Sequence, residues 1–245
     1  MSEEIIQSRQ NPRIQAVARL RDRPERESRG LFIAEGLREL GRAFEKKIKI
    51  EEVYIICCEV GRSAFEKMSG REGPDGLLGV AKTWDCSLAQ LKLSAAPLLL
   101  VAESVEKPGN LGALLRTADS AGCDALIICD PVTDVFNPNV VRSSQGAVFS
   151  VPVAVCSSAE AAAWLRSNKI KTLATTPAAT KTFWDVDAKN PTALLLGSEK
   201  DGLSEFWLKG ADEKISIPQA GLSDSLNVSM AAAIVLFEAV RQRRK

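Results

Sequence analysis

A chain of 245 residues, 45% hydrophobic and 26% charged, can bury a substantial core in one large domain or two small ones. It contains no histidine, which excludes a Ser-His-Asp triad and any histidine-based zinc site and leaves proton chemistry to carboxylates, lysine, cysteine, tyrosine or water. The net charge of +1 gives no global attraction to an anionic partner, but the seven arginines from Arg9 to Arg29 oppose only three acids (Asp22, Glu25, Glu27), a surplus that fits either a phosphate-binding surface or a helix face laced with ion pairs.

In chain order, residues 8–22 read as a helix entered through the Asn11-Pro12 turn, with Ile14, Val17, Ala18 and Leu20 as its apolar stripe. Residues 31–34 form a short strand. Residues 35–47 read as a second helix with Leu37, Leu40, Ala43 and Phe44 on one face. A strand over 51–57, a short helix over 63–68, a loop over 70–79 rich in Gly-Pro and Asp-Gly steps, and a strand over 80–84 complete a first unit of mixed helices and strands.

The Ser94-Ala-Ala-Pro step marks a junction, and the rhythm changes after it. Short, nearly unbroken apolar runs at 98–101, 125–129, 171–175, 193–197 and 213–217 read as strands, with helical patterns at 111–121, 157–167 and 225–243. Continuous apolar strands alternating with helices indicate a parallel sheet covered on both faces. The expected organisation is a small α+β domain over residues 1–94 and an α/β domain over residues 95–245.

No apolar run approaches the ~18–20 residues needed to span a bilayer, and the start of the chain is acidic, so the expected location is the cytoplasm. The six cysteines show no Cys-x-x-Cys spacing, which points to small buried hydrophobes rather than a metal or redox centre. The basic end, Arg241 to Lys245, reads as a complement to a helix C-terminal dipole.

Three strand-to-helix transitions carry candidate chemistry. In the first, Pro108, Gly109, Asn110 and Gly112 let backbone approach a ligand, and Arg116 follows Gly112 by one helical turn; a plain capped helix fits the same residues. In the second, Leu196-Gly-Ser-Glu-Lys-Asp-Gly202, a buried strand ends at Gly197 and Glu199 faces the crevice, unless Ser198 or Asp201 merely caps the next helix. In the third, Ser223 or Asp224 is placed to cap the last helix, which leaves Ser225, Asn227 and Ser229 as polar groups heading a very apolar helix and in need of partners. The common nucleotide-binding glycine motifs are absent.

Taken together, these segments resemble the three signature motifs of the SpoU (TrmH-type) RNA ribose 2′-O-methyltransferases, of the SPOUT superfamily. The matching residues are Asn110-Leu-Gly-Ala-Leu-Leu-Arg-Thr-Ala118, Leu196-Gly-Ser-Glu-Lys-Asp-Gly202, and Ile217-Pro followed by Ser225-Leu-Asn-Val-Ser-Met-Ala-Ala-Ala-Ile234, with Phe136 to Ala147 fitting between them. The preceding region, notably Phe32-Ile-Ala-Glu-Gly36, is similar to a ribosomal-protein-like RNA-binding domain.

The resemblance implies an α/β domain whose chain forms a trefoil knot, a homodimer, and an S-adenosylmethionine pocket held by Gly197, Ile217, Leu226 and Thr175, with no metal. It implies a catalytic set of Arg116, Glu199, Ser225 and Asn227, and RNA contacts from Asn110, Arg9, Arg13 and Arg142. Gln219 stands where many relatives have methionine. The implied reaction is methyl transfer to a ribose 2′-hydroxyl, most simply of ribosomal RNA. A transfer-RNA ribose methyltransferase and a non-catalytic RNA-binding relative remain the alternatives.

Overall fold

The computed structural model describes residues 5–221 and 225–244. The chain forms two compact units. The first comprises the residues up to Trp84 together with Asp134–Ser150, and the second Asp85–Thr133 together with the residues from Val151 on. The expected boundary at residue 94 takes no account of this excursion. Its physical basis is a ring cluster in the first unit, where Phe136 and Phe149 lie 5.1 and 6.2 Å from Phe32 and Phe136 lies 4.7 Å from Trp84.

The first unit opens with α1 (Pro12–Arg19), whose Asn11 side chain accepts the Arg13 N–H at 2.9 Å, and continues with α2 (Arg23–Arg29), β1 (Leu31–Glu35), α3 (Leu37–Glu45), β2 (Ile50–Ile55), α4 (Arg62–Ser69) and β3 (Leu77–Lys82). The strands form an antiparallel sheet in the order β1-β3-β2. Strand β3 starts inside the segment read as loop. Gly79 lies in its interior because a Cβ there would meet Leu40 Cδ2 at 2.5 Å, so the glycine marks close packing of α3 rather than a turn. On α3, Leu40 and Ala43 are buried as expected, but Leu37 and Phe44 are each 79% exposed.

The helix α2 was not legible because it has no apolar stripe; the side chain it buries is Arg26. The Arg26 guanidinium donates to the carbonyls of Leu20 and Arg21 at 2.8 and 2.7 Å and lies 2.5 Å from Asp134 Oδ2. Removing one partner of a buried pair strands the other, so Asp134→Ala is expected to cost about 3 kcal/mol in denaturant unfolding.

The second unit begins with β4 (Leu98–Glu103), α5 (Pro108–Ala121) and β5 (Ala125–Cys129). After the excursion that places α6 (Pro138–Ser143) in the first unit, it resumes with β6 (Val153–Cys156), α7 (Ser158–Ser167), β7 (Lys171–Thr175), β8 (Thr192–Leu196), α8 (Glu205–Gly210), β9 (Glu213–Ile215) and α9 (Val228–Arg243). All six strands run parallel in the order β6-β5-β4-β8-β7-β9. Strands β4, β5 and β8 are buried along their whole length, which accounts for their unbroken apolar runs.

Arg243 does more than face a helix dipole. It donates to the carbonyls of Ala188 and Asn190 at 2.7 and 2.6 Å and of Ala96 at 2.6 Å, and burial lowers its pKa. Cys123 and Cys129 are buried, but Cys57 and Cys58 are exposed at a turn where Cys57 has φ +62°. Burial pushes the Cys86 and Cys123 thiols up to about 12, which keeps them protonated. No helix among the described residues is long and apolar enough to cross a membrane.

Candidate active site

The sheet order creates the site. After β5 and β6 are laid down on one side of β4, the chain crosses over, and β8 inserts between β4 and β7. Ala102 of β4 is therefore in register with Leu196 of β8, so the segments that follow them emerge side by side. Strands β7 and β9 bring the residues after Thr175 and Ile215 to the same end. Carboxyl ends of parallel strands at such a crossover are where open α/β sheets hold ligands.

Three polar side chains join the three sequence motifs there. Asn110, in the first turn of α5, donates its amide to Glu199 Oε1. The Asn227 amide donates to Asn110 Oδ1 at 3.1 Å. Asn227 Oδ1 accepts the N–H and hydroxyl of Ser229 at 3.0 and 2.6 Å, which makes Asn227 the N-cap of α9. The expected caps, Ser223 and Asp224, lie outside the described residues, and the helix starts at Val228, not Ser225.

The loop after β8 is closed on itself. Ser198 and Gly202 exchange backbone hydrogen bonds at 3.1 Å in both directions, and Ser198 Oγ accepts the Asp201 N–H at 3.0 Å. Neither Ser198 nor Asp201 caps the next helix; Ser204 occupies that position. A Cβ on Gly197 would fall 1.9 Å from the Gly202 carbonyl carbon and 2.1 Å from the Leu203 nitrogen. The close approach that demands glycine is thus made by the chain's own backbone.

Sequence reasoning passed over Glu103, which pins the far end of this loop. Its buried carboxylate accepts the Ser204 N–H at 2.7 Å and the Ser204 hydroxyl at 2.6 Å. Glu103 ends an apolar strand, so only its unusual burial distinguishes it, and burial is not visible in sequence.

Beside the loop lies a cleft of about 390 Å³. Of the expected cofactor and catalytic residues, Thr175, Gly197, Ile217, Leu226, Glu199 and Ser225 all line it. Gln219, Val228 and Ala231 line it as well. Thr175 Oγ1 and Glu199 Oε2 are buried with no hydrogen-bond partner among the described residues. Buried polar atoms are nearly always paired, so two such orphans in one cleft mark places for a ligand's donors and acceptors.

Arg116 does not line the cleft; it is exposed on α5. The expected RNA contacts Arg9, Arg13 and Arg142 belong to the first unit. Arg9 is exposed, whereas Arg13 pairs with Glu52 at 3.1 Å and lies over the Tyr54 ring. The arginine-rich segment is in part structural: Arg26 is buried, Arg23 pairs with Glu27 at 2.7 Å, and Arg29 donates to the Ala16 carbonyl at 2.8 Å.

Comparison with known proteins agrees with this architecture. Residues 11–59 match the model of the MRM3-like substrate binding domain. The chain is 29% identical to the 23S rRNA (guanosine(2553)-2′-O)-methyltransferase of Bacillus subtilis over 95% of this chain and 97% of that protein. A structure of the AdoMet-bound rRNA methyltransferase from Sinorhizobium meliloti superposes with a TM-score of 0.92 at 28% identity, covering 100% of both chains. The A. aeolicus TrmH/SpoU tRNA modifying enzyme matches with a TM-score of 0.52 at 29% identity over 62% of this chain and 77% of that one. Residues 97–237, which hold the sheet, the hydrogen-bonded triad and the cleft, match the SpoU rRNA methylase family model, and the chain belongs to that family.

Proposed function

We propose that this protein is an S-adenosylmethionine-dependent RNA (ribose-2′-O)-methyltransferase acting on ribosomal RNA. The observation that carries the reading is the Glu199–Asn110–Asn227 hydrogen-bond chain, set against a cleft with two buried polar atoms that are unpaired among the described residues. Ribosomal rather than transfer RNA is favoured because the Bacillus subtilis and Sinorhizobium meliloti rRNA enzymes align over both units, whereas the A. aeolicus tRNA modifying enzyme covers 62% of the chain.

The donor set fits the cofactor. Ile217, Leu226 and Ala231 offer an apolar wall for adenine, Thr175 Oγ1 an unspent hydroxyl, and the backbone near Gly197 further polar groups. When bound, S-adenosylmethionine supplies a methyl group on a cationic sulfur, open to in-line displacement by an oxygen nucleophile. The protein's task is to align that oxygen and ease departure of its proton.

Asn227 and Asn110 hold Glu199 with one carboxylate oxygen unpaired among the described residues, ready to fix a guanidinium or a ribose hydroxyl. Ser225 stands at the mouth of the cleft. Arg116 grips the phosphate beside the target ribose; a guanidinium is too basic to act as an ordinary general base. The proton passes to phosphate or water.

Because Arg116 lies outside the cleft of its own chain, the site is completed by a second subunit. Met230, Ile234 and Phe237 recur on one face of α9 and are 61%, 37% and 46% exposed, an apolar stripe suited to a twofold interface. The knotted chain path belongs to this proposal, as does work in the cytoplasm. The first unit holds the RNA.

Calorimetry of S-adenosylmethionine binding tests the reading. Leu226→Arg places a guanidinium in the apolar wall and is expected to weaken binding at least about 100-fold, with the fold intact. Equal binding by the variant would remove the cofactor from this cleft. Ribose-methyl mapping of rRNA from cells with and without the protein then locates the modified nucleotide.

A further inference from the structure

The first unit contains a second concavity, a polar notch of about 210 Å³. Three guanidinium groups (Arg21, Arg71 and Arg142) and two carboxylates (Asp22 and Glu35) line it. No aromatic side chain does, so the notch offers no platform for stacking a base.

The charges are unequal in kind. Glu35 is buried and fully engaged, accepting from Ser69 Oγ at 2.6 Å, Arg71 Nε at 3.2 Å and the Asp75 N–H at 2.9 Å. Arg71 is neutralised between Glu35 at 3.1 Å and Asp75 at 2.7 Å. Arg21 and Arg142 have no carboxylate partner among the described residues; Arg142 donates to the neutral amide oxygen of Asn139. Two uncompensated guanidinium groups therefore face one concavity, opposed only by the exposed carboxylate of Asp22.

Both are held in place. Arg21 lies flat over Gly70, a residue at φ +74° where a Cβ would come within 2.3 Å of the guanidinium carbon. The buried Arg26 fastens the backbone carbonyl of Arg21 at 2.7 Å and also binds Asp134, the first residue of the segment that carries Arg142. One buried ion pair thus joins the two walls of the notch.

We infer that this notch is a phosphodiester-binding site in which Arg21 and Arg142 clamp one backbone phosphate of the RNA substrate, away from the chemistry. The inference rests on the RNA methyltransferase reading. Contacts of this kind set register and affinity and carry no base specificity.

The test is titration of a 23S rRNA transcript at increasing KCl concentration, comparing the wild-type protein with an Arg21→Gln/Arg142→Gln double variant. Each lost phosphate contact lowers the slope of log affinity against log salt by about 0.7–0.9, so the double variant, which loses the one clamped phosphate, is expected to bind with a slope shallower by that amount. Its S-adenosylmethionine affinity should be unchanged. The Arg21→Lys/Arg142→Lys pair should retain the wild-type slope, which separates lost charge from a damaged fold, and Asp22→Asn should tighten binding. A wild-type slope kept by the glutamine pair would remove the phosphate clamp alone. No binding of the transcript by the wild-type protein would remove the RNA reading and the clamp with it.

Discussion

Replacing Arg116 with alanine is expected to lower turnover about 10²–10³-fold, the scale for removing a fixed cationic group that orients or stabilises a reacting centre. S-adenosylmethionine affinity should not change, because the group that Arg116 grips is the RNA phosphate and the cofactor cleft is walled by other residues. Arg116→Lys keeps the charge but not the planar fork, so recovery of full turnover would reject a bidentate grip. The sharper experiment pairs two defective chains. A heterodimer of an Arg116→Ala subunit and an Asn227→Ala subunit has one site with an intact cleft and, if the arginine crosses the interface, an intact guanidinium. Activity near half that of the wild-type dimer is expected. An inactive heterodimer would show that the arginine serves its own chain's cleft by a movement of α5.

Gly197→Ala is the second large effect. Its Cβ would sit 1.9–2.1 Å from backbone atoms of Gly202 and Leu203, a clash no rotamer can relieve. A cost of roughly 3–5 kcal/mol is expected in unfolding experiments, the upper range for single substitutions. S-adenosylmethionine binding should be lost with it, since the displaced loop walls the cleft. Gly202 in the same loop provides the contrast. It has φ +69°, and a Cβ added there would meet nothing within 4 Å, so Gly202→Ala carries only the left-handed backbone penalty of about 1–2 kcal/mol. Similar losses at the two positions would contradict the steric account.

Much of this protein was legible from local pattern. The strands expected at 98–101, 125–129 and 171–175 match β4, β5 and β7 within two residues, because strands buried on both faces must be apolar throughout. The helix over 111–121 was equally clear, as α5 buries Leu111, Leu114, Leu115 and Ala118 at helical spacing. Elements without such a signature were missed. Helix α2 buries an arginine and β6 is four residues long; strand β3 was expected over 80–84 and only its start was misplaced, because it begins at Leu77 in a glycine-rich stretch whose glycines serve packing as well as turning.

By itself, then, the sequence determined the fold class, the alternation of strand and helix, and the motifs around Asn110, Gly197 and Asn227. Each of these depends on neighbours within one turn or one strand. Only the tertiary structure decided that β8 lies beside β4, and hence that Asn110 meets Glu199 across 89 positions of chain. It likewise decided that Arg26 is a buried fastener, that Arg116 lies outside its own chain's cleft, and that residues 134–150 complete the first unit. Strand order and burial are set by the summed packing of the whole sheet and core. No local window of residues contains that sum.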